Sequence, residues 1–364
     1  MPKSKKVKRA KKVSKAKTGK RTKEIFYTIC PVQVASHVAV EKGWLDEAFK
    51  KVGVKPRFLR ALSKDQWLPH FTHRRPELFR DGGNIPPIWA RSEGVDTKLI
   101  GLTFAGTGGK IVVKVGSGIR SIRDLSGKKI GLSLRRTRDR VDFARATAHR
   151  SILLALAYAG LSERDVQLVD IPEFEAKEGD PSWSVLSSAE TPVEFWGKGK
   201  LKSVAWNDGK ALLDGTVDAV FSGHGRSAKL ESEGLVTTIE DLGRYPDWTT
   251  QVANTPTAIT VNTELAKSYP EIVVAWLKAS VKAGQWIRKN PEEAASILAE
   301  VTIHGCVHHL VRDLATYNYV PNLSGKSLAG IEVEKDFLLE HGYIKNDFDV
   351  RAWADDSFLK LALK

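Results

Sequence analysis

Cysteine is scarce in this chain: there are two in 364 residues, Cys30 and Cys306. Two thiols 276 positions apart cannot build a disulfide framework and do not form a paired metal motif. A reduced, cytoplasmic setting is therefore expected. No apolar run reaches the roughly 18 residues that a membrane helix needs, so no membrane partner is expected, and no internal repeat is visible. A charge excess is also missing from most of the chain. The net charge is +14, but residues 1–24 hold twelve Lys or Arg against one Glu, while the other 340 residues carry 45 basic and 42 acidic side chains. So balanced a body gives no argument for nucleic-acid binding. The Lys-rich tail lacks an apolar central segment, so it does not read as a secretory signal. Its like charges repel, which predicts a disordered arm with at most weak, salt-sensitive attraction to nucleic acid or acidic surfaces.

What remains is ordinary globular material, 42% apolar and 27% charged, long enough for two domains or one large one. Strand and helix signals alternate. Ile25–Cys30, Val54–Leu59, Lys98–Phe104, Lys110–Val115, Ile130–Ser133, Val166–Ile171, Val217–Phe221 and Thr257–Val261 read as strands. Val32–Lys42, Arg145–Ala159 and Ile272–Arg288 read as helices, the first stopped by Gly43. Such alternation predicts an α/β fold with largely parallel sheets. Residues 172–209, rich in Pro, Ser, Glu and Trp, break the pattern and read as an inserted loop, either a cover over a cleft or a surface excursion.

Three side chains carry candidate chemistry. Cys30 ends a strand and precedes Pro31, which is expected to open a helix; a thiol at a helix N-terminus has its thiolate stabilised. His70 and Arg80 follow in the stretch from Pro69 to Pro87, offering a base and a planar anion clamp. Gly82-Gly83, ahead of a helix start, can aim backbone N–H groups at the same anion. Taken alone, each of the three has a plain structural reading: a small buried hydrophobe, a hydrogen-bonded core imidazole, a solvated cation. His73-Arg74-Arg75 could add positive potential. The cluster His304-Gly305-Cys306-Val307-His308-His309 invites a metal reading, but it contains no carboxylate and Gly305 interrupts its helical spacing, so no metal site is expected.

Several phrases resemble the type 2 periplasmic-binding-protein fold: Glu41-Lys42-Gly43-Trp44-Leu45, the run from Ile122 to Gly131, Ala159-Gly160-Leu161 with Asp165-Val166, and Gly215 to Val220. That resemblance implies two α/β lobes with a ligand cleft between them: 25–117 and 253–364 forming the first, 118–252 the second. Within that superfamily, Tyr27 to Val32 and His70-Phe71-Thr72 through Arg80, Gly82-Gly83 and Ile85-Pro86-Pro87 resemble the 2'-hydroxybiphenyl-2-sulfinate desulfinase family. The resemblance implies a cofactor-independent, monomeric hydrolase that cleaves the C–S bond of an aromatic or related sulfinate and releases sulfite. Cys30 would be the catalytic thiol, His70 would assist proton transfer, and Arg80 with Gly83 would hold the sulfinate; Gly82, Phe71 and His73 are the further candidate substrate-binding residues. His73 and Arg75 stand where that family has a tyrosine and a glutamine. The rival expectation is a non-catalytic binding protein of a transporter, capturing a small sulfonate or sulfinate.

Overall fold

The computed structural model describes residues 23–104, 109–135, 139–172, 189–196, 207–223, 226–302 and 307–364. The basic tail through residue 22, most of the 172–209 stretch, and His304 with Cys306 lie outside the described residues. Ten strands follow the chain among the described residues: β1 (Lys23–Ile29), β2 (Val54–Phe58), β3 (Leu78–Gly82), β4 (Thr97–Thr103), β5 (Gly109–Lys114), β6 (Lys129–Leu134), β7 (Gln167–Pro172), β8 (Ala219–Gly223), β9 (Val236–Asp241) and β10 (Thr257–Asn262). They form two five-stranded sheets, ordered β2-β1-β3-β10-β4 and β7-β6-β8-β5-β9.

Each sheet has four strands in one direction and one opposed: β10 runs against β3 and β4, and β5 against β8 and β9. The opposed strand is in each case the one by which the chain enters from the other lobe. A short crossing leaves the carboxyl end of one strand and must enter the facing sheet from that same side, so the entering strand runs backwards. This places the carboxyl ends of the co-directional strands toward the junction, where α/β sheets hold ligands. The first crossing falls between β4 and β5. The 109–117 stretch, expected in the first lobe, therefore belongs to the second sheet, fixed there by pairing of Ile111 with Phe221 and of Val113 with Thr237.

β1 is buried on both faces from Ile25 to Ile29, as a central strand covered by helices on each side should be. β3 was not anticipated. Its sequence, Leu78-Phe79-Arg80-Asp81-Gly82, carries two charges that read as a loop, yet every residue is buried. The first helix also begins later than expected. It spans Ala35–Glu41, with Val34 extended as its N-cap. The residue before a proline is pushed away from helical geometry, and Val32 N–H closes a tight turn on the Cys30 carbonyl at 2.7 Å.

The first lobe is cemented by Trp276 of the long helix Pro270–Lys289, which is fully buried. Its indole stacks on Phe79 (centroids 5.0 Å apart, planes 13°) and also meets Tyr27 and Phe49. The described part of the 172–209 insert, the short helix Pro192–Trp196, packs on this same lobe although it leaves from the second sheet; Phe195 meets Phe58 at 5.9 Å and Trp67 at 5.3 Å. Truncating Trp276→Ala opens a cavity behind β1 and β3. It should destabilise the protein by about 3–5 kcal/mol, seen as an earlier urea midpoint; an unchanged midpoint would show that this contact is not what holds the lobe.

Candidate active site

Two neighbouring strands and a short helix deliver the site. Cys30 follows β1, and Arg80 lies on β3 directly beside Thr28 of β1. His70 comes from the helix Pro69–Thr72. The half-buried Cys30 Sγ lies 3.4 Å from His70 Nε2 and 3.3 Å from Arg80 Nη2. Sulfur, imidazole and guanidinium thus meet at one point, although 40 and 50 positions separate the thiol from its partners.

Each member is held from behind. His70 Nδ1 faces Thr28 Oγ1 at 2.7 Å in the core. Two arrangements satisfy that chain: Nδ1–H donates to Thr28 and Nε2 accepts from the thiol, or Thr28 donates and Nε2–H points at sulfur. Arg80, 1% exposed, donates Nε–H to the His70 carbonyl (3.0 Å) and Nη1–H to the Gly83 carbonyl (2.8 Å). With one further N–H on Cys30, two of its five remain for an anion. The Cys30 backbone is equally fixed. Its N–H donates to the Asp81 carbonyl at 2.9 Å, and its carbonyl lies 2.8 Å from His37 Nε2. Gly82, at φ +153°, packs against the cysteine so closely that a Cβ would overlap Sγ. Only glycine leaves the thiol its room there.

The candidate substrate-binding residues divide. Phe71 meets His70 edge-on (4.7 Å) and stacks on Phe143 of the second lobe (6.0 Å, 18°), with the Arg140 guanidinium 4.5 Å above its ring. It spans the junction between the lobes. Gly83 gives its carbonyl to Arg80. His73 turns inward instead, with Nε2 3.0 Å from Thr260 Oγ1 and Nδ1 3.2 Å from the Phe71 carbonyl. The expected positive potential from His73 is not there: burial, with Arg80 nearby, pushes its pKa down to about 3, so the ring is neutral. Nor does a helix N-terminus face the thiol, since the first helix starts five residues beyond Cys30.

Electrostatically the site is cationic. Burial is the chief reason that His70 sits well below its ordinary pKa, and the neighbouring Arg60, Arg80 and Arg140 lower it further. His70 is therefore a neutral imidazole. Asp81, accepting a 2.6 Å hydrogen bond from Ser36, is pushed up to about 6 by burial. Sequence reasoning passed over Thr28, His37, Asp81 and Arg60. Thr28 and His37 look like routine strand and helix residues until the sheet order places them against the thiol and its carbonyl.

No family model matches the chain. The 2'-hydroxybiphenyl-2-sulfinate desulfinase of Rhodococcus erythropolis is 29% identical, over 93% of this chain and 93% of its own. Among solved structures, a cysteine-to-serine mutant of the enzyme DszB in complex with biphenyl-2-sulfinic acid superposes with a TM-score of 0.75 at 26% identity, covering 93% of this chain and 98% of that one. The alkanesulfonate-binding protein SsuA from Xanthomonas axonopodis pv. citri, bound to MOPS, shares the fold with a TM-score of 0.62 at 16% identity, covering 92% and 98%. The chain shares the two-lobed α/β fold of these proteins, with its thiol cluster at the carboxyl ends of the first lobe's strands.

The buried histidines set an acid sensitivity. Burial holds His37 down to about 4, His73 to about 3 and His70 well below its usual value. An unfolded chain protonates all three near pH 6.5, so their stabilising contribution is complete above that pH and is lost as pH falls through it. His149, also lowered, acts the same way. Asp81 and Glu334, raised to about 6 and about 7 by burial, act oppositely, taking up protons in the folded state as pH falls. Four histidines lose stabilisation here, while only Asp81 and Glu334 are raised as far as this window, so the melting temperature should drop between pH 7 and pH 5. A flat or rising profile across that window would contradict the neutral-imidazole assignment.

Proposed function

We propose that the protein is a cofactor-independent desulfinase: it cleaves the C–S bond of an aromatic or related sulfinate, and Cys30 is the catalytic thiol. One observation carries the reading. A half-buried sulfur lies within hydrogen-bond reach of both a neutral imidazole and a buried guanidinium, in a chain 29% identical to a sulfinate desulfinase. In hydrolase terms the overall change is sulfinate plus water giving the hydrocarbon and hydrogen sulfite.

The geometry favours protonation of carbon over attack on sulfur. His70 is a poor base, because burial and three nearby guanidinium groups oppose its charging. His70 is thus a weak competitor for a proton, and in this reading the acceptor of the Cys30 proton is the ring carbon bearing the sulfinate. Proton transfer from Sγ to that carbon breaks the C–S bond, and the bonding pair stays with carbon. Sulfur dioxide leaves and takes up water to give hydrogen sulfite and a proton, which returns to the thiolate. Arg80 Nη2 stabilises the thiolate in the interval, with charge-assisted strength. Its two remaining N–H groups, with the backbone around Gly82-Gly83, suit the two sulfinate oxygens. His70 holds Sγ in position and relays the returning proton. A reducing cytoplasm keeps the thiol free for this role.

Purified protein incubated with a panel of aryl and alkyl sulfinates should release sulfite. Cys30→Ser should lower kcat at least about a hundredfold, and Arg80→Lys should raise KM as well as lower kcat, because lysine keeps the charge but loses the fork. Undiminished sulfite release by Cys30→Ser removes the thiol from the chemistry. No release from any member of the panel, together with alkanesulfonate-induced stabilisation that ignores Cys30→Ser, selects the non-catalytic binding protein instead.

A further inference from the structure

Arg60 is the feature that the reaction as described leaves unused. It sits in the turn Leu59–Ala61 at the carboxyl end of β2. β2 pairs with β1 in parallel, Phe58 beside Tyr27, so the ends of the two strands bring Arg60 and Cys30 to the same edge of the sheet. The strand order is β2-β1-β3. Arg60 and Arg80 thus belong to strands on opposite sides of the one that carries the thiol, roughly 10 Å apart at the spacing of strands in a sheet. The side chain is 7% exposed. Its guanidinium lies 4.9 Å from the Trp67 ring centre and 5.3 Å from that of Phe195. Trp67 is pinned by its own Nε1–H to the Leu62 carbonyl at 2.9 Å, so the aromatic wall is rigid.

Among the described residues the guanidinium makes no ion pair, and its buried Nε has no hydrogen-bond partner. The charges that bear on it are Cys30 and another cation, Arg140, with no carboxylate, and burial lowers its pKa to about 10. Leaving a desolvated cation unpaired costs several kcal/mol; aromatic faces return about 2 kcal/mol at most. A bound sulfinate held by Arg80 neutralises one of the two guanidinium groups flanking the thiol and leaves the other as it was.

Resting on the desulfinase reading, we infer that Arg60 binds a second anionic group of the substrate, so that this site takes a sulfinate that also carries a carboxylate. Arg60 is then a specificity-determining residue. Arg140, poised over Phe71 from the second lobe, adds to the same positive field. A purely aromatic monoanion leaves Arg60 unanswered and binds less tightly.

The test compares benzenesulfinate with the 2-, 3- and 4-sulfinobenzoates by calorimetric titration of the Cys30→Ser protein, in which turnover does not interfere. At least one sulfinobenzoate should bind about tenfold or more tightly than benzenesulfinate. Adding Arg60→Gln should bring that ratio close to one, while Arg60→Lys should retain part of it. Equal affinity for benzenesulfinate and all three dianions overturns the inference without needing any Arg60 variant. A ratio that survives Arg60→Gln overturns it too, and assigns the preference to another cation. Sulfite release by the unmutated protein is read in parallel. Release of sulfite with no dianion preference defeats the inference and leaves the desulfinase reading standing; no release and no binding of any of the four compounds defeats both.

Discussion

A buried guanidinium organises this molecule's chemistry. Arg80 lies in the middle of a fully buried strand, and its donors reach a helix (His70 carbonyl), a turn (Gly83 carbonyl) and the thiol at the end of the neighbouring strand. A charge in such a place is tolerated only when its N–H groups are answered. Satisfying them fixes the distance between His70 and Cys30. The neighbouring carboxyl group does not cancel the charge outright, because Asp81 is tied to Ser36 and is itself held toward the protonated state. The excess positive potential passes to the surroundings: it adds to the burial that keeps His70 neutral and leaves the space beside Sγ attractive to an anion.

The same arrangement explains why the site lies where the lobes meet. Strand direction sends the carboxyl ends of the first sheet toward the crossings. Phe71 then closes the distance by stacking on Phe143, under the Arg140 guanidinium. The 172–209 insert leaves the second sheet and anchors Phe195 on the first lobe, beside Trp67 and Arg60. The second lobe thereby contributes an aromatic wall and a cation to a thiol that the first lobe holds.

Much of this was legible in the order of residues, and the parts that were not share a cause. Strand and helix alternation, the glycine stops and the Cys30, His70 and Arg80 trio could be read because each is a local pattern or a short motif. β3 could not, because Arg80 and Asp81 look like loop residues until a sheet buries them and hydrogen-bonds answer their charge. The helix expected to open at Pro31 fails on the residues themselves: proline disfavours helical geometry at Cys30, and three more residues pass before Ala35 starts the helix. His73 reads as one more positive charge in a basic run, yet its partner Thr260 comes from elsewhere in the chain, and burial removes the charge. Arg60 is the clearest case. No motif in its own segment marks it, and its place near the thiol depends on which strands are neighbours, a property that no single segment carries.

Binding and cleavage ask different things of one cavity. A sulfonate and a sulfinate both present paired oxygens to a guanidinium fork, so cations alone select either and cleave neither. Cleavage needs a proton delivered to carbon at the moment the sulfur group departs, from an acid that is not already ionised. In the proposed reading the thiol beside a neutral histidine is that acid, and the nearby Arg80 lowers the energy of the thiolate left behind. The excess of cations and the low basicity of His70 are then linked: burial is the main reason that His70 is a weak base, and the same cations that draw the anion in weaken it further.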